Sequence, residues 1–363
     1  MITEQLSILE NLIDWFNRKT TPNAVRRAGG VLSLALSTDI GTVRTENQDR
    51  CAVLRICNND GKMLVIAVLC DGMGGMESGA DCASKAISNF LYHCVCSINE
   101  PIDILLKNAV SKANDAVFST YEGRGGATLS AFCLDSNGVL TGVNVGDSRI
   151  YCLDKQVLTQ LSSDDTLAGQ FGNRAIEFSN RNELLQHVGI GNDIEPHILS
   201  IKIPEDRDIR LLVTSDGVHF LDHDLISSVI KHAPDSARAA QRLTELSKWC
   251  GGKDNATTVI SPSIDQLIAF RDSSKVGTIE VWDPFGDLLL LSLAPQPPKV
   301  IDFQTPIIRV TPDKPKRTRK KRQIKSLKTK ATGKKTIKKK SAAKTKSKDK
   351  PQLDIKFDTS QGE

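Results

Sequence analysis

The stretch Cys51-Ala-Val-Leu-Arg-Ile-Cys57-Asn-Asn-Asp60-Gly61-Lys-Met63-Leu-Val-Ile-Ala-Val-Leu-Cys70-Asp71-Gly72 decides the fold. Two apolar, β-rich runs, 51–57 and 63–70, flank the pair Asp60-Gly61. Asp-Gly tolerates the positive backbone angles of a tight turn, so the segment reads as an antiparallel hairpin. Its second arm ends on Asp71-Gly72, which places a carboxylate at the end of a strand.

Working outward, similar runs at 31–38, 127–134, 139–145, 148–153, 197–203, 209–215 and 256–261 read as further strands. Helices are expected over 2–16, over 77–96, over 102–121 behind Pro101, and over 236–250 between a capping Asp235 and Gly251-Gly252. Strand runs with helices inserted in blocks, not alternating one for one, indicate an α+β layered domain. Residues 154–196 are polar and glycine-dotted and read as a surface flap with short helices. The expected organisation is an N-terminal helix and lead-in at 1–30, a main domain at 31–263, an accessory segment at 264–300 with a hairpin around Asp283-Pro284-Phe285-Gly286, and a tail at 301–363.

Charge separates that tail from the rest. The 363 residues carry +5, but 313–350 hold 19 Lys or Arg against two Asp, a net of +17. The remainder holds 29 Lys or Arg against 41 Asp or Glu, a net of −12. Low-complexity Lys, Thr and Ser cannot bury enough apolar surface to offset ordering entropy, so the tail is expected to be disordered. Its lysines suit the phosphates of a nucleic acid or the face of an acidic partner. No aromatic residue interleaves them, which argues against base stacking.

Several classes are excluded. The longest apolar stretches, such as Met63–Leu69 and Leu288–Leu291, fall far short of a membrane span, and Met1–Phe16 lacks the pattern of a secretory signal. Nine scattered cysteines without a CxxC pair read as reduced thiols, which suggests a cytoplasmic protein. No Cys is followed six residues later by Arg, as a tyrosine-phosphatase loop requires. Neither a GxxxxGK[ST] loop, a GxSxG elbow nor an HExxH helix occurs, and the six histidines show no ligand spacing.

What recurs is aspartate at strand ends: Asp49, Asp71, Asp147, Asp216 and Asp254. Singly, an Asp-Gly pair is most often a turn. Gathered at one sheet edge, five carboxylates would repel one another and call for cations, and an all-oxygen set selects magnesium or manganese over zinc.

The motifs carrying these aspartates resemble, in order, those of the metal-dependent protein phosphatase family, protein phosphatase 2C, in its bacterial form. Ser37-Thr-Asp-Ile-Gly41-Thr-Val-Arg44-Thr-Glu-Asn47-Gln-Asp49 is similar to the family's opening motif, and Asp71-Gly72-Met73-Gly74-Gly75 to its Asp-Gly-Met-Gly-Gly signature. Gly126-Ala-Thr128, Asn144-Val-Gly146-Asp147-Ser148-Arg149, Thr214-Ser215-Asp216-Gly217 and Lys253-Asp254-Asn255-Ala-Thr257 complete the set over residues 31–262.

The resemblance implies a four-layer α-β-β-α sandwich with two antiparallel sheets, and hydrolysis of phosphoserine and phosphothreonine in proteins by a metal-bridging hydroxide, reversing a Ser/Thr kinase. It implies a binuclear manganese or magnesium centre with Asp49, Asp71, the Gly72 carbonyl, Asp216 and Asp254 as ligands, and a weaker third site at Asp147. Arg44 corresponds to the arginine that grips the substrate phosphate, so Arg44, Asp49, Asp71 and Asp216 are the expected catalytic residues. Met73 stands where some eukaryotic members have a histidine proposed as general acid. The expected partner is a phosphorylated protein substrate, a cognate Ser/Thr kinase or that kinase's targets, and a monomer is expected. The alternative is a catalytically weak phosphopeptide- or nucleic-acid-binding module of the same fold, which the full set of charged motif residues disfavours.

Overall fold

A computed structural model describes residues 2–30, 34–73, 78–155, 157–171, 183–191, 194–201 and 209–291. The chain divides into two units, 1–299 and 300–363. The second, with the Lys-rich stretch at 313–350 and the disorder and partners expected of it, lies wholly outside the described residues.

Two antiparallel sheets stack face to face. One orders its six strands β1-β2-β11-β10-β7-β8: β1 (Asn23–Arg27), β2 (Ala35–Asp39), β7 (Arg149–Asp154), β8 (Val157–Gln160), β10 (Ile209–Thr214) and β11 (Ala256–Ile260). The other orders seven as β13-β12-β3-β4-β5-β6-β9: β3 (Arg50–Cys57), β4 (Met63–Cys70), β5 (Leu129–Asp135), β6 (Leu140–Val145), β9 (His197–Ile201), β12 (Thr278–Asp283) and β13 (Gly286–Leu291). The hairpin expected around Asp60-Gly61 is β3–β4, paired from Arg50↔Cys70 to Cys57↔Met63.

Burial on both faces explains why β4 reads as an unbroken apolar run. Leu64, Ile66, Val68 and Cys70 face a helical layer, while Val65, Ala67 and Leu69 face the space between the sheets. The helical layer is built from α1 (Ile2–Asn17), α2 (Gly79–Cys96) and α3 (Ile102–Tyr121), which contribute Leu12, Phe16, Phe90 and Leu106 to the first core. Between the sheets, Phe132, Leu211 and Val259 form the second core, joined by α8 (Ile264–Asp272) through Leu267 and Phe270. On the far side of the six-stranded sheet, α6 (His223–Lys231) and α7 (Ser236–Trp249) bury Ile226, Ile230 and Leu243. The four-layer α-β-β-α order follows from these three cores. Each fully buried Leu or Ile contributes about 1.5–3 kcal/mol over its exposed state.

Arg55 lies inside the apolar run of β3 and is nevertheless buried. Its guanidinium sits 4.5 Å from the Phe270 ring centroid and 5.3 Å from that of Trp282, and donates to Glu280 at 2.7 Å. The residues around 283–286 form the β12–β13 hairpin, and β12 pairs with β3, extending the seven-stranded sheet. In the flap region the described residues contain strand β8 and the short helix α4 (Leu167–Phe171). No helix among the described residues is long and apolar enough to cross a membrane.

Candidate active site

The registers bring the strand-end aspartates to one edge. Because Arg50 pairs with Cys70, Asp49 and Asp71 leave the β3–β4 pair from the same end. In the other sheet Thr214 of β10 pairs with Arg149 of β7 and with Thr258 of β11, so Asp216, Asp147 and Asp254 lie at the corresponding end of their three strands. Asp216 opens α5 (Asp216–His219) immediately after β10.

Hydrogen bonds then join the two sheet ends. Ser215 Oγ donates to Asp49 Oδ2 at 2.8 Å and accepts from Thr257 N at 3.0 Å. Asn255 Oδ1 accepts from Gln48 N at 2.8 Å, while its amide donates to the carbonyls of Ile40 and Glu46. Asn47 Oδ1 accepts from Asp49 N at 3.1 Å, and Asn47 Nδ2 donates to Thr38 Oγ1 at 2.8 Å. Asp71 is held through its backbone, with Asp71 N donating to Thr128 Oγ1 at 3.0 Å and Thr128 N to Asp71 O at 2.8 Å. The motif asparagines, serine and threonines are thus the scaffold of the aspartates.

Two glycines are required by close approach. A Cβ on Gly217 would stand 1.9 Å from the Asn255 carbonyl oxygen, and one on Gly72 2.3 Å from that of Gly79. Gly72 lets the start of α2 press against the Asp71 turn, and its amide donates to Gln48 O at 3.2 Å.

The electrostatics are those of confined like charges. Burial, with Asp216 and Asp254 adding to it, pushes Asp49 up to about 6 although Thr257 and Ser215 hydroxyls favour its charged form. Burial and the fields of Asp49, Asp216, Asp147 and Asp254 push Asp71 well above the ordinary carboxylate range. Asp216 is pushed up to about 7 by burial, Asp254 and Asp147, and Asp147 to about 6 by burial and Asp164. Asp49 Oδ1 is buried with no hydrogen-bond partner. A buried anionic oxygen left unpaired is costly unless a cation or proton serves it.

Arg44, on the loop between β2 and β3, pairs with Asp254 at 2.6 Å. That bond holds the guanidinium above its ordinary value, with Asp216 and Asp71 also within its field. The six side chains Arg44, Asp49, Asp71, Asp147, Asp216 and Asp254 therefore share one electrostatic neighbourhood. Among the described residues, no three His, Cys, Asp or Glu side chains close on one point as a finished metal cage would. Gly72, directly after Asp71, forms an isolated antiparallel bridge with Ala127, and Met73 N donates to Gly126 O at 3.1 Å.

Two acidic residues that the motif reading does not single out flank the site. Asp164 accepts from Arg149 Nε and Nη2, at 3.0 and 2.7 Å, and Asp165 accepts from Gly146 N at 2.9 Å. Their sequence signal is only an Asp-Asp pair in a polar segment, which does not distinguish them from solvated loop residues.

Comparison with known proteins bears on this arrangement. The family model described as Protein phosphatase 2C matches residues 42–258. The serine/threonine protein phosphatase PstP of Mycobacterium tuberculosis is 30% identical over 249 residues, covering 65% of this chain and 46% of that protein. The chain thus spans about half the length of that curated relative. A crystal structure of the PPM Ser-Thr phosphatase MsPP from Mycobacterium smegmatis in complex with cacodylate aligns with a TM-score of 0.53 and 30% identity, over 63% of this chain and 97% of that one. The catalytic domain of PstP in complex with two manganese ions aligns with a TM-score of 0.51 and 26% identity, over 66% and 97% of the two chains.

Proposed function

The chain belongs to the protein phosphatase 2C family, and from that premise we propose that it hydrolyses phosphoserine and phosphothreonine in proteins, with divalent cations as cofactor, undoing the work of a Ser/Thr kinase. The observation that carries this reading is the unpaired, buried Asp49 Oδ1 amid aspartates whose burial, and then mutual repulsion, raises their proton affinity. Such a set fits a hard cation, because it offers only oxygen and is short of positive charge.

Asp49, Asp71, Asp216, Asp254 and the Gly72 carbonyl would hold two ions, with Asp147 at a third, weaker position. Manganese is favoured by the two manganese ions of the PstP domain, and magnesium suits the same donors. Bound there, the cations supply Lewis acidity, which activates water as a nucleophile near neutral pH and neutralises charge on the phosphoryl oxygens.

The protein's own groups do the rest. Arg44 presents a planar fork of donors to the phosphate, and its partial exposure leaves it within reach of a substrate carried on another protein. Ser215 holds the Asp49 carboxylate through Oδ2, which leaves Oδ1 as the oxygen without a hydrogen-bond partner. Thr128 fixes the backbone of Asp71. The Met73 thioether has no proton to give, so the leaving alkoxide takes its proton from water. Positioning and charge neutralisation suffice for phosphoryl transfer, whose transition state asks for little covalent participation by the protein.

Manganese titration of the full chain, followed by the EPR signal of free Mn²⁺, tests the ligand set. About two tight equivalents are expected for the unaltered chain, and Asp216→Asn should lose at least one. Unchanged stoichiometry in that variant would sink the assignment.

A further inference from the structure

Asp165 is buried, and each of its polar atoms is engaged. Its Oδ2 accepts from Gly146 N at 2.9 Å and from Gln186 Nε2 at 3.0 Å, and its Oδ1 pairs with His197 Nε2 at 2.7 Å. Its amide donates to Gly146 O at 3.0 Å, and its carbonyl accepts from Leu185 N at 2.8 Å. One residue thus grips both backbone groups of Gly146, the residue before Asp147, and ties that turn to two other segments, 183–191 and β9.

The turn has little freedom of its own. Gly146 has φ +96°, and a Cβ there would meet Thr128 Cγ2 at 2.7 Å. Thr128 is the residue whose hydroxyl holds Asp71 N, and that hydroxyl also bonds Ser148 Oγ at 2.7 Å. The Asp147 turn is therefore pinned on one side by the group that holds Asp71, and on the other by Asp165. Asp165 and His197 also line an open cavity of about 780 Å³ with Gln186 and Glu195, so this second grip faces a solvent-reachable space.

We propose that Asp165 is a positioning residue that latches the Asp147 turn to the flap. By holding Gly146 from both sides it sets where Asp147 presents its carboxylate, and it makes the weak metal position depend on segment 183–191 and β9 staying in place. The metal half of this inference rests on the phosphatase reading; the mechanical half does not.

Two measurements on the full chain test it. Amide hydrogen exchange by NMR reads the grip on Gly146 directly: Asp165→Ala should accelerate Gly146 by about tenfold or more, while Val143 within β6 keeps its protection. Asp165→Asn retains the shape and one acceptor oxygen, and should fall between the two; it carries both measurements if the alanine variant does not fold. Manganese titration by EPR should show that Asp165→Ala loses the weak class of sites that Asp147→Asn loses, and that the double variant loses no more than Asp147→Asn alone. Unchanged Gly146 exchange overturns the latch, and a weak class of unaltered affinity in Asp165→Ala overturns its coupling to Asp147. If Gly146 responds while Asp147→Asn leaves manganese binding untouched, the ligand role of Asp147 fails and the latch is supported.

Discussion

Ser215 follows β10 and Asp49 precedes β3, strands of different sheets, yet the serine hydroxyl lies 2.8 Å from the aspartate Oδ2. That hydroxyl also accepts from Thr257 N, so one oxygen connects the ends of β10, β11 and β3 where the carboxylates gather. Ser215→Ala should leave a buried N–H and a buried carboxylate short of a partner, costing about 1–3 kcal/mol in urea denaturation. Manganese affinity should fall with it, because Asp49 is then free to turn. Wild-type stability and affinity together would show that the bond orients nothing.

The raised carboxyls set a pH dependence with a definite sign. Asp49 and Asp147 lie at about 6 and Asp216 at about 7, against an ordinary 3.8, chiefly through burial. The folded chain holds protons there that the unfolded chain releases, so stability present below about pH 4 is lost as pH rises to about 7. With chelator present, the melting temperature should be higher at pH 6 than at pH 8, and Asp216→Asn should shrink the difference. Saturating manganese should raise the melting temperature more at pH 8. A difference that Asp216→Asn leaves untouched would place the titration elsewhere.

Arg44 is partly exposed, and its bond to Asp254 is worth little to the fold. Arg44→Ala should change stability by only about 0.5 kcal/mol. Its effect should appear as a rise of about tenfold or more in KM for a phosphopeptide, with Arg44→Lys restoring charge but not the fork. An unchanged KM in the alanine variant would remove Arg44 from the phosphate-binding role.

Gly217→Ala forces a Cβ to within 1.9 Å of the Asn255 carbonyl oxygen, which is backbone and cannot swing aside. Asn255 in turn holds the loop before Asp49. The expected loss is about 1–3 kcal/mol, with weakened manganese binding. Gly61→Ala, in open space at φ +80°, is the control and should cost only about 1 kcal/mol while leaving the metal site alone. Equal effects of the two on manganese affinity would contradict the close-packing explanation.

Much of the fold was legible because its central strands are buried on both faces and so read as short unbroken apolar runs. The β3–β4 hairpin, the helices α2, α3 and α7, and the strands that lead to Asp147 and Asp216 all carry their apolar pattern openly. Strand β1 did not: Asn23-Ala-Val-Arg-Arg27 is an edge strand of alternating half-exposure, held by β2 on one side and by ion pairs of Arg26 with Asp287 and Arg27 with Asp235. Helices α6 and α8 are nine residues each, shorter than the window of about 11 to 18 residues over which helical periodicity is read. Strand β8 was hidden in a segment read for short helices, because its four residues Val157–Gln160 are largely exposed.

The candidate site was legible in its aspartates, since aspartate recurring at strand ends, twice followed by Gly, is a visible pattern. Its scaffold was less so. Ser215, Thr257 and Asn255 stand inside quoted motifs, but only the register of β10 against β11 reveals that they join two sheets. Asp165 could not be singled out, because its role depends on Gly146, Gln186 and His197, which are brought to it by tertiary structure.

The most direct test is phosphate release from a phosphothreonine peptide by the full chain in manganese, with and without chelator, beside folded Asp71→Asn. Turnover is expected that chelator abolishes and that Asp71→Asn lowers by several orders of magnitude. Release that survives chelator, or near-normal turnover by the Asp71→Asn protein, would contradict it.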